Sequence, residues 1–241
     1  MIRIRALAFN ILFFPWSVLV MLAALPFVAS TDMLWRLRRL WLGGILWLLR
    51  VVVGLRVEIR GRAHLPPAPY ILAAKHQSML ETFVLGNLLD RPAFVLKREL
   101  TLIPVLGWYL KRVGMVPIDR ARGPSALRRM QMAARACAAE ARPLVIFPEG
   151  TRRAPGAAPD YKRGLTLVAR ATPSLPVVPV ALDTGLFWGR GRLDRRPGVT
   201  VIEILPPLAP GLQGDALLAA VQAAIEPAAA RLATEAPSRL A

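Results

Sequence analysis

The first charge-free stretch of the chain runs over residues 6–31, 26 positions without a charged side chain. As a helix that length crosses a hydrocarbon core of roughly 30 Å. Pro15 and Pro26 fall inside it and predict a kink or a break. A second apolar stretch covers residues 40–55, broken by Arg50. With Trp35, Trp41 and Trp47 and its arginine flank, it reads as an interfacial helix more than a clean span. After Gly54 the periodicity changes. Residues 56–60 alternate polar and apolar, the mark of a strand with one exposed face. Short apolar runs at 70–74, 93–96, 114–118, 144–147, 177–182 and 199–205 predict further strands. Helices are predicted over 79–89, over a long segment opened by Pro124 and Ser125 and ending near residue 141, over 161–170, and over 215–235. Residues 152–160, rich in Pro, Ala and Gly, read as a loop.

Strands alternating with helices predict an α/β fold with a largely parallel central sheet flanked by helices. Residues 1–55 form an N-terminal hydrophobic helical hairpin that anchors the chain in a membrane, and residues 56–241 form one further domain, without an internal repeat. Two topologies fit the hairpin: segment one spans the bilayer, or both segments dip into one leaflet. Arg3 and Arg5 precede the first segment and Arg36, Arg38 and Arg39 follow it, so charge does not choose between them. A cleaved signal peptide fits poorly, because the stretch is long for one. A pair of buried core helices is the plainer alternative.

Composition sharpens this picture. Hydrophobic residues make up 55% of the 241, more than a soluble core needs. The formal net charge is +17, and only Lys75, Lys97, Lys111 and Lys162 are lysines, so the excess is arginine. Such a balance calls for an anionic partner: nucleic acid, or an anionic lipid surface with phosphate-bearing substrates. The arginines are dispersed and no helix-turn-helix or RNA-binding signature is present, which argues against nucleic acid. Cys137 is the single cysteine and lies in an alanine-rich helical stretch, where packing is its expected role. With only His64 and His76 as histidines, no zinc-type spacing exists.

Four clusters next to predicted strands carry candidate chemistry. In residues 75–81, His76 precedes a Ser78-x-x-Glu81 capping box. On one regular helix a five-residue spacing would place His76 and Glu81 about 140° apart. A capping glutamate turns back towards the N-cap, however, and a carboxylate there fixes the imidazole tautomer and stabilises the imidazolium. Taken alone, the same residues also serve as a plain helix cap. Lys97 and Arg98 stand at a strand end and suit a phosphate or a solvated basic turn. Residues 147–153 run from an apolar strand into a glycine turn whose backbone N–H groups, with the Arg152 fork, suit an anion. The fourth, residues 177–182, holds Pro179 inside an apolar strand, a position expected at an edge or bulge.

In this order and at these spacings the clusters resemble the glycerolipid acyltransferase family, in particular its 1-acylglycerol-3-phosphate acyltransferases. His76-x4-Glu81 matches the family's His-x4-Asp motif, with glutamate in place of the usual aspartate; the extra methylene carries the carboxylate about 1.5 Å farther out. Residues 97–100 look like the second block, 147–152 the third, and 178–179 the fourth. The resemblance spans roughly residues 56–206, and the hydrophobic hairpin is similar to that of bacterial members. It implies that His76 and Glu81 are catalytic, His76 as general base and Glu81 orienting it. Lys97, Arg98 and Arg152 would bind the acceptor phosphate, with Glu149, Gly150, Thr151 and Pro179 shaping the site. It implies an acyl-CoA or acyl carrier protein donor, a lysophospholipid acceptor, attack without an acyl-enzyme, and no cofactor or metal. It also implies the inner (cytoplasmic) membrane, with the site on its cytoplasmic side. Two rivals stand beside this: an acyltransferase for another lysolipid, such as a lyso-ornithine lipid, and a non-catalytic basic membrane-surface protein. A serine hydrolase would need a Gly-x-Ser-x-Gly elbow, which the sequence lacks.

Overall fold

The computed structural model describes residues 1–119 and 123–240. Among them, seven strands form one sheet in the order β1-β7-β6-β2-β5-β3-β4. These are β1 (Leu55–Arg60), β2 (Ile71–Ala74), β3 (Ala93–Lys97), β4 (Val116–Ile118), β5 (Leu144–Ile146), β6 (Val177–Leu182) and β7 (Gly198–Ile204). Neighbours are parallel throughout except β6 with β7. The central strands β2 and β6 are buried at every position, which is why they read as continuous apolar runs rather than as alternation. The α/β expectation with a largely parallel sheet therefore holds.

Two helical layers cover the sheet. One face carries α1 (Ile2–Ala23), α2 (Thr31–Leu48) and α3 (Leu80–Leu88). The other carries α5 (Gly123–Ala139), α6 (Gly164–Ala171) and α8 (Gly214–Glu235). Cys137 is buried in that second layer as packing. The side chains of Pro124 and Ser125, expected to open α5, lie outside the described residues.

The hairpin packs into the core. Phe9, Leu42, Ile45 and Val53 belong to the same apolar cluster as Leu72, Leu80 and Val178, so α1 and α2 supply one wall of the core. The two helices meet closely at Gly44, where a Cβ would stand 2.4 Å from the Trp16 ring. The Trp16 indole N–H donates to the Trp41 carbonyl (3.0 Å), and that of Trp41 donates to Ser17 Oγ (3.0 Å). Outward, α1 exposes Ile4, Ile11, Phe14 and Leu19.

Several local expectations need correction. Helix α1 runs through Pro15 unbroken; Pro15 is exposed, away from the α2 contact, and the chain turns instead at Leu25–Phe27, around Pro26. Helix α2 starts well before residue 40, because Ser30 caps it by accepting the Met33 N–H (3.3 Å). The arginines expected to flank it therefore lie within it. The Arg38 guanidinium donates to the Gly86 and Leu89 carbonyls at the end of α3, groups that lack helical partners. Trp35 is buried rather than interfacial, while Trp47 remains 62% exposed. Residues 98–102 form a 3₁₀ turn, followed by α4 (Leu106–Arg112); a four-residue helix, α7 (Thr184–Phe187), follows β6. These short pieces leave too little periodicity to be read from sequence.

Pro179 sits in an interior strand, not at an edge. It lies where the regular ladder to β7 ends. Leu205 N–H reaches the Pro179 carbonyl (3.0 Å) and Leu208 N–H the Val177 carbonyl (2.9 Å), three residues against two. Leu205 still keeps the register of the β6–β7 pairs, so the proline ends the regular ladder by returning no N–H there, and the offset begins beyond it.

Candidate active site

Strand β2 ends at Ala74 and the chain passes through Lys75, His76, Gln77 and Ser78 before α3 begins. Glu81, in the first turn of α3, is fully buried and folds back over this loop. Its Oε1 accepts the backbone N–H of Gln77 (2.8 Å) and of Ser78 (2.7 Å) and lies 2.8 Å from His76 Nδ1. Its Oε2 accepts the Thr184 hydroxyl (2.7 Å) from α7. The N-cap of α3 is Met79 and not Ser78, so the capping box forms only in part: Ser78 Oγ accepts the Leu80 N–H (3.2 Å) and not that of Glu81. The spacing that a regular helix would keep apart closes because His76 precedes the helix and the capping glutamate turns back. With Nδ1–H donating to the carboxylate, Nε2 is left as the basic nitrogen.

Three further contacts hold the imidazole. Its ring stacks on Phe147 at 4.1 Å between centroids and 20° between planes. The His76 N–H donates to Glu149 Oε2 (2.8 Å), and its carbonyl accepts the Arg153 N–H (2.7 Å). The His76 loop and the segment after β5 are therefore locked together.

That second segment turns at Gly150, whose φ of +66° a side chain would strain. Gly150 N–H closes the turn on the Phe147 carbonyl (2.9 Å). The N–H groups of Gly150 and Arg153 are thus occupied, while those of Thr151 and Arg152 have no partner among the described residues. Arg153 pairs with Asp160, and Lys162 pairs with the same carboxylate (2.6 Å), bracing the loop predicted over 152–160. Arg152 is exposed, and among the described residues it makes no ion pair or side-chain hydrogen bond. Its guanidinium is available to a ligand.

His76, Thr151, Arg152 and Lys97 all line one cleft of about 950 Å³. Away from these polar groups its walls are mostly apolar, with Leu42, Phe83, Phe94 and Leu110 among them, and it reaches α1 and α2, where Arg38 also lines it. A basic, hydrogen-bonding end next to the imidazole passes into a greasy interior, the combination that an amphiphile with an anionic head fits.

Not every predicted site residue belongs here. Lys97 lines the cleft but is 65% exposed and paired with Glu99 (3.0 Å). Arg98 is drawn aside by Asp119 (2.9 Å) and does not line the cleft. Pro179 is buried within the sheet, away from the cleft, and supports the strand beside Ala73. Glu149 is buried and acts through the His76 backbone rather than as an open ligand. Sequence reasoning did not find Thr184, 103 positions from Glu81, or the Phe147 stack. No local pattern joins such residues; only the side-by-side placement of β2 with β5 and β6 does.

Comparison with known proteins agrees with this geometry. The model of the Acyltransferase family matches residues 56–183, which hold the loop from Lys75 to Glu81 and the turn at Gly150. A 1-acyl-sn-glycerol-3-phosphate acyltransferase of Pseudomonas aeruginosa is 36% identical over 166 residues, 69% of this chain. The chain spans 64% of that relative's length, just under two thirds. One from Chlamydomonas reinhardtii is 32% identical over 92% of this chain and 69% of its own. The crystal structure of the 1-acyl-sn-glycerophosphate acyltransferase of Thermotoga maritima superposes with a TM-score of 0.79, at 22% identity, over 96% of this chain and 98% of that one. The fold, the loop that joins His76 to Glu81 and the family match converge: this chain belongs to the acyltransferase family.

Proposed function

We propose that this chain transfers a fatty acyl group from acyl-CoA or acyl carrier protein to the sn-2 hydroxyl of 1-acylglycerol-3-phosphate, giving phosphatidic acid. The observation that carries the reading is the His76–Glu81 pair, 2.8 Å apart, at the boundary between a cationic cleft end and an apolar interior. His76 Nε2 takes the proton of the acceptor hydroxyl as its oxygen attacks the thioester carbonyl. Glu81 holds Nδ1–H and stabilises the imidazolium that results. The thiolate then leaves, and the proton on His76 passes to it. No side-chain nucleophile is required, because the thioester is already activated. The unpaired Thr151 and Arg152 amides and the Arg152 fork suit the acceptor phosphate.

The hairpin supports a place on the membrane rather than across it. Asn10 Nδ2, two turns into α1, donates to the Arg192 carbonyl (2.9 Å). At the C-terminal end the Tyr109 hydroxyl donates to the Met21 carbonyl (2.6 Å), and Arg112 to those of Val28 and Ala29. Tied to the catalytic domain in its N-terminal half and at its C-terminal end, α1 presents its apolar outer face to one leaflet, with the cleft open to lipids from that leaflet. In this reading the site faces the cytoplasmic side of the inner membrane, where thioester donors are made.

An acceptor panel on membranes containing the protein tests this, with labelled acyl thioester and lipid chromatography. Label should appear in phosphatidic acid when 1-acylglycerol-3-phosphate is supplied. Label in a lyso-ornithine product alone would replace the acceptor, and no lysolipid-dependent product would reject the reading. The phosphate assignment has its own test: Arg152→Ala should raise the acceptor KM roughly ten- to a hundredfold, the worth of about 1.5–3 kcal/mol for a hydrogen bond to a charged group. Its kcat should change little, and an unchanged KM would remove Arg152 from the phosphate pocket.

A further inference from the structure

Beneath the catalytic loop lies a charged cluster, buried except for the quarter-exposed Glu226 side chain, that touches no part of the cleft except through Glu149. Lys75 is 3% exposed. Its ammonium lies 2.7 and 2.9 Å from the two carboxylate oxygens of Glu226, on α8, and 3.3 Å from Glu149 Oε1. Glu149 gives its other oxygen to the His76 N–H. Glu226 Oε1 also accepts the Tyr161 hydroxyl (2.8 Å). Burial, reinforced by the Glu226 and Glu149 carboxylates, pushes the Tyr161 hydroxyl far above its ordinary range and keeps it a neutral donor. The next residue, Lys162, donates its N–H to the Pro148 carbonyl (2.8 Å).

We propose that Lys75 and Glu226 are positioning residues for this site, the pair through which the C-terminal helix α8 sets both the His76 backbone and the loop that carries Arg152. The proposal rests on His76 being the general base. One route runs from Glu226 through Lys75 and Glu149 to the His76 peptide. The other runs from Glu226 through Tyr161 and Lys162 to Pro148. The Arg152 segment, residues 148–162, thus has one end at Glu149 and the other at Tyr161, and Glu226 steadies both.

The physical case is the cost of the arrangement. A buried ammonium between two carboxylates contributes little net stability over an apolar pair of similar size, whereas removing one partner strands the others. Its contribution is geometry. Glu149 meets His76 through its backbone N–H, so a shift of the carboxylate moves the imidazole relative to the acceptor hydroxyl. Displacement on the order of 1 Å costs roughly a hundredfold in rate.

Kinetics on the full-length, membrane-embedded protein separate positioning from stability. Lys75→Met and Glu226→Gln should each lower kcat by roughly ten- to a hundredfold, and the acceptor KM should rise as well, because the loop that carries Arg152 loses part of its support. The double variant Lys75→Met/Glu226→Met carries the test if a single variant fails to fold. Its apolar pair removes the stranded Glu226 charge but leaves Glu149 without a cation, so it should melt above Lys75→Met without reaching the unmodified protein, while kcat remains low. Recovery of kcat together with stability would overturn the proposal, as would single variants that fold and turn over normally. A His76→Ala variant run alongside distinguishes the failures. If it stays active, the base reading falls; if it is inactive while the Lys75 and Glu226 variants retain full kcat, only the positioning role falls.

Discussion

Turnover by His76→Ala is expected to fall by about two to four orders of magnitude, the usual contribution of a positioned general base. That corresponds to about 3–5 kcal/mol of lost transition-state stabilisation. An alcohol is a poor nucleophile until its proton is taken, and among the described residues that line the cleft no other group stands on an orienting carboxylate as His76 does. The fold should survive. The imidazole side chain is 20% exposed, and its removal costs the Phe147 stack and one of the four donors around Glu81, while the two backbone N–H groups and Thr184 remain. A loss of about 1 kcal/mol would lower the melting temperature by about 2–4 °C. Single-turnover assays on membranes, paired with thermal melts of the purified protein, check both halves. More than a tenth of the original rate with an intact melt would mean that the acceptor proton leaves by another path.

How much of this was legible beforehand depends on the range over which the cause acts. The capping box at Ser78 and Glu81 is local, and although only its glutamate half forms, with Met79 and not Ser78 at the N-cap, it led from a sequence spacing to an imidazole–carboxylate contact. The buried strands β2 and β6 announced themselves because both of their faces are covered. Long-range partners did not. Arg98 looked like a phosphate ligand next to Lys97, yet Asp119, beyond α4, claims it. Glu226 sits in an alanine-rich helix with nothing nearby to suggest that Lys75 lies against it. Hydropathy also could not divide α1 between lipid and core. Phe9 and Ile11 are alike on any scale, but one is fully buried against Trp188 and the other points outward. That division depends on which side of the helix meets the sheet, and uniform apolarity erases the phase that would reveal it.

Glu81→Gln isolates what charge contributes once geometry is kept. The amide oxygen can still accept from the Gln77 and Ser78 N–H groups and from His76 Nδ1–H, all now on Oε1. The amide nitrogen then faces the Thr184 hydroxyl, which must turn from donor to acceptor. The hydrogen-bond count is nearly preserved, so stability should fall by only about 1–2 kcal/mol. What disappears is the negative charge opposite the imidazolium in a fully buried position. There the interaction is weakly screened, and kcat should fall by roughly three orders of magnitude, within about tenfold of His76→Ala. Glu81→Asp divides the two contributions differently. It keeps the charge but draws the carboxylate back by about 1.5 Å, too far to hold the loop amides, His76 and Thr184 at once. Its rate should lie between those of the unmodified enzyme and the glutamine variant, because a displaced charge still stabilises the imidazolium while a neutral amide in place does not. If glutamine outperforms aspartate, orientation rather than charge is what Glu81 gives His76, and the electrostatic part of the mechanism is wrong.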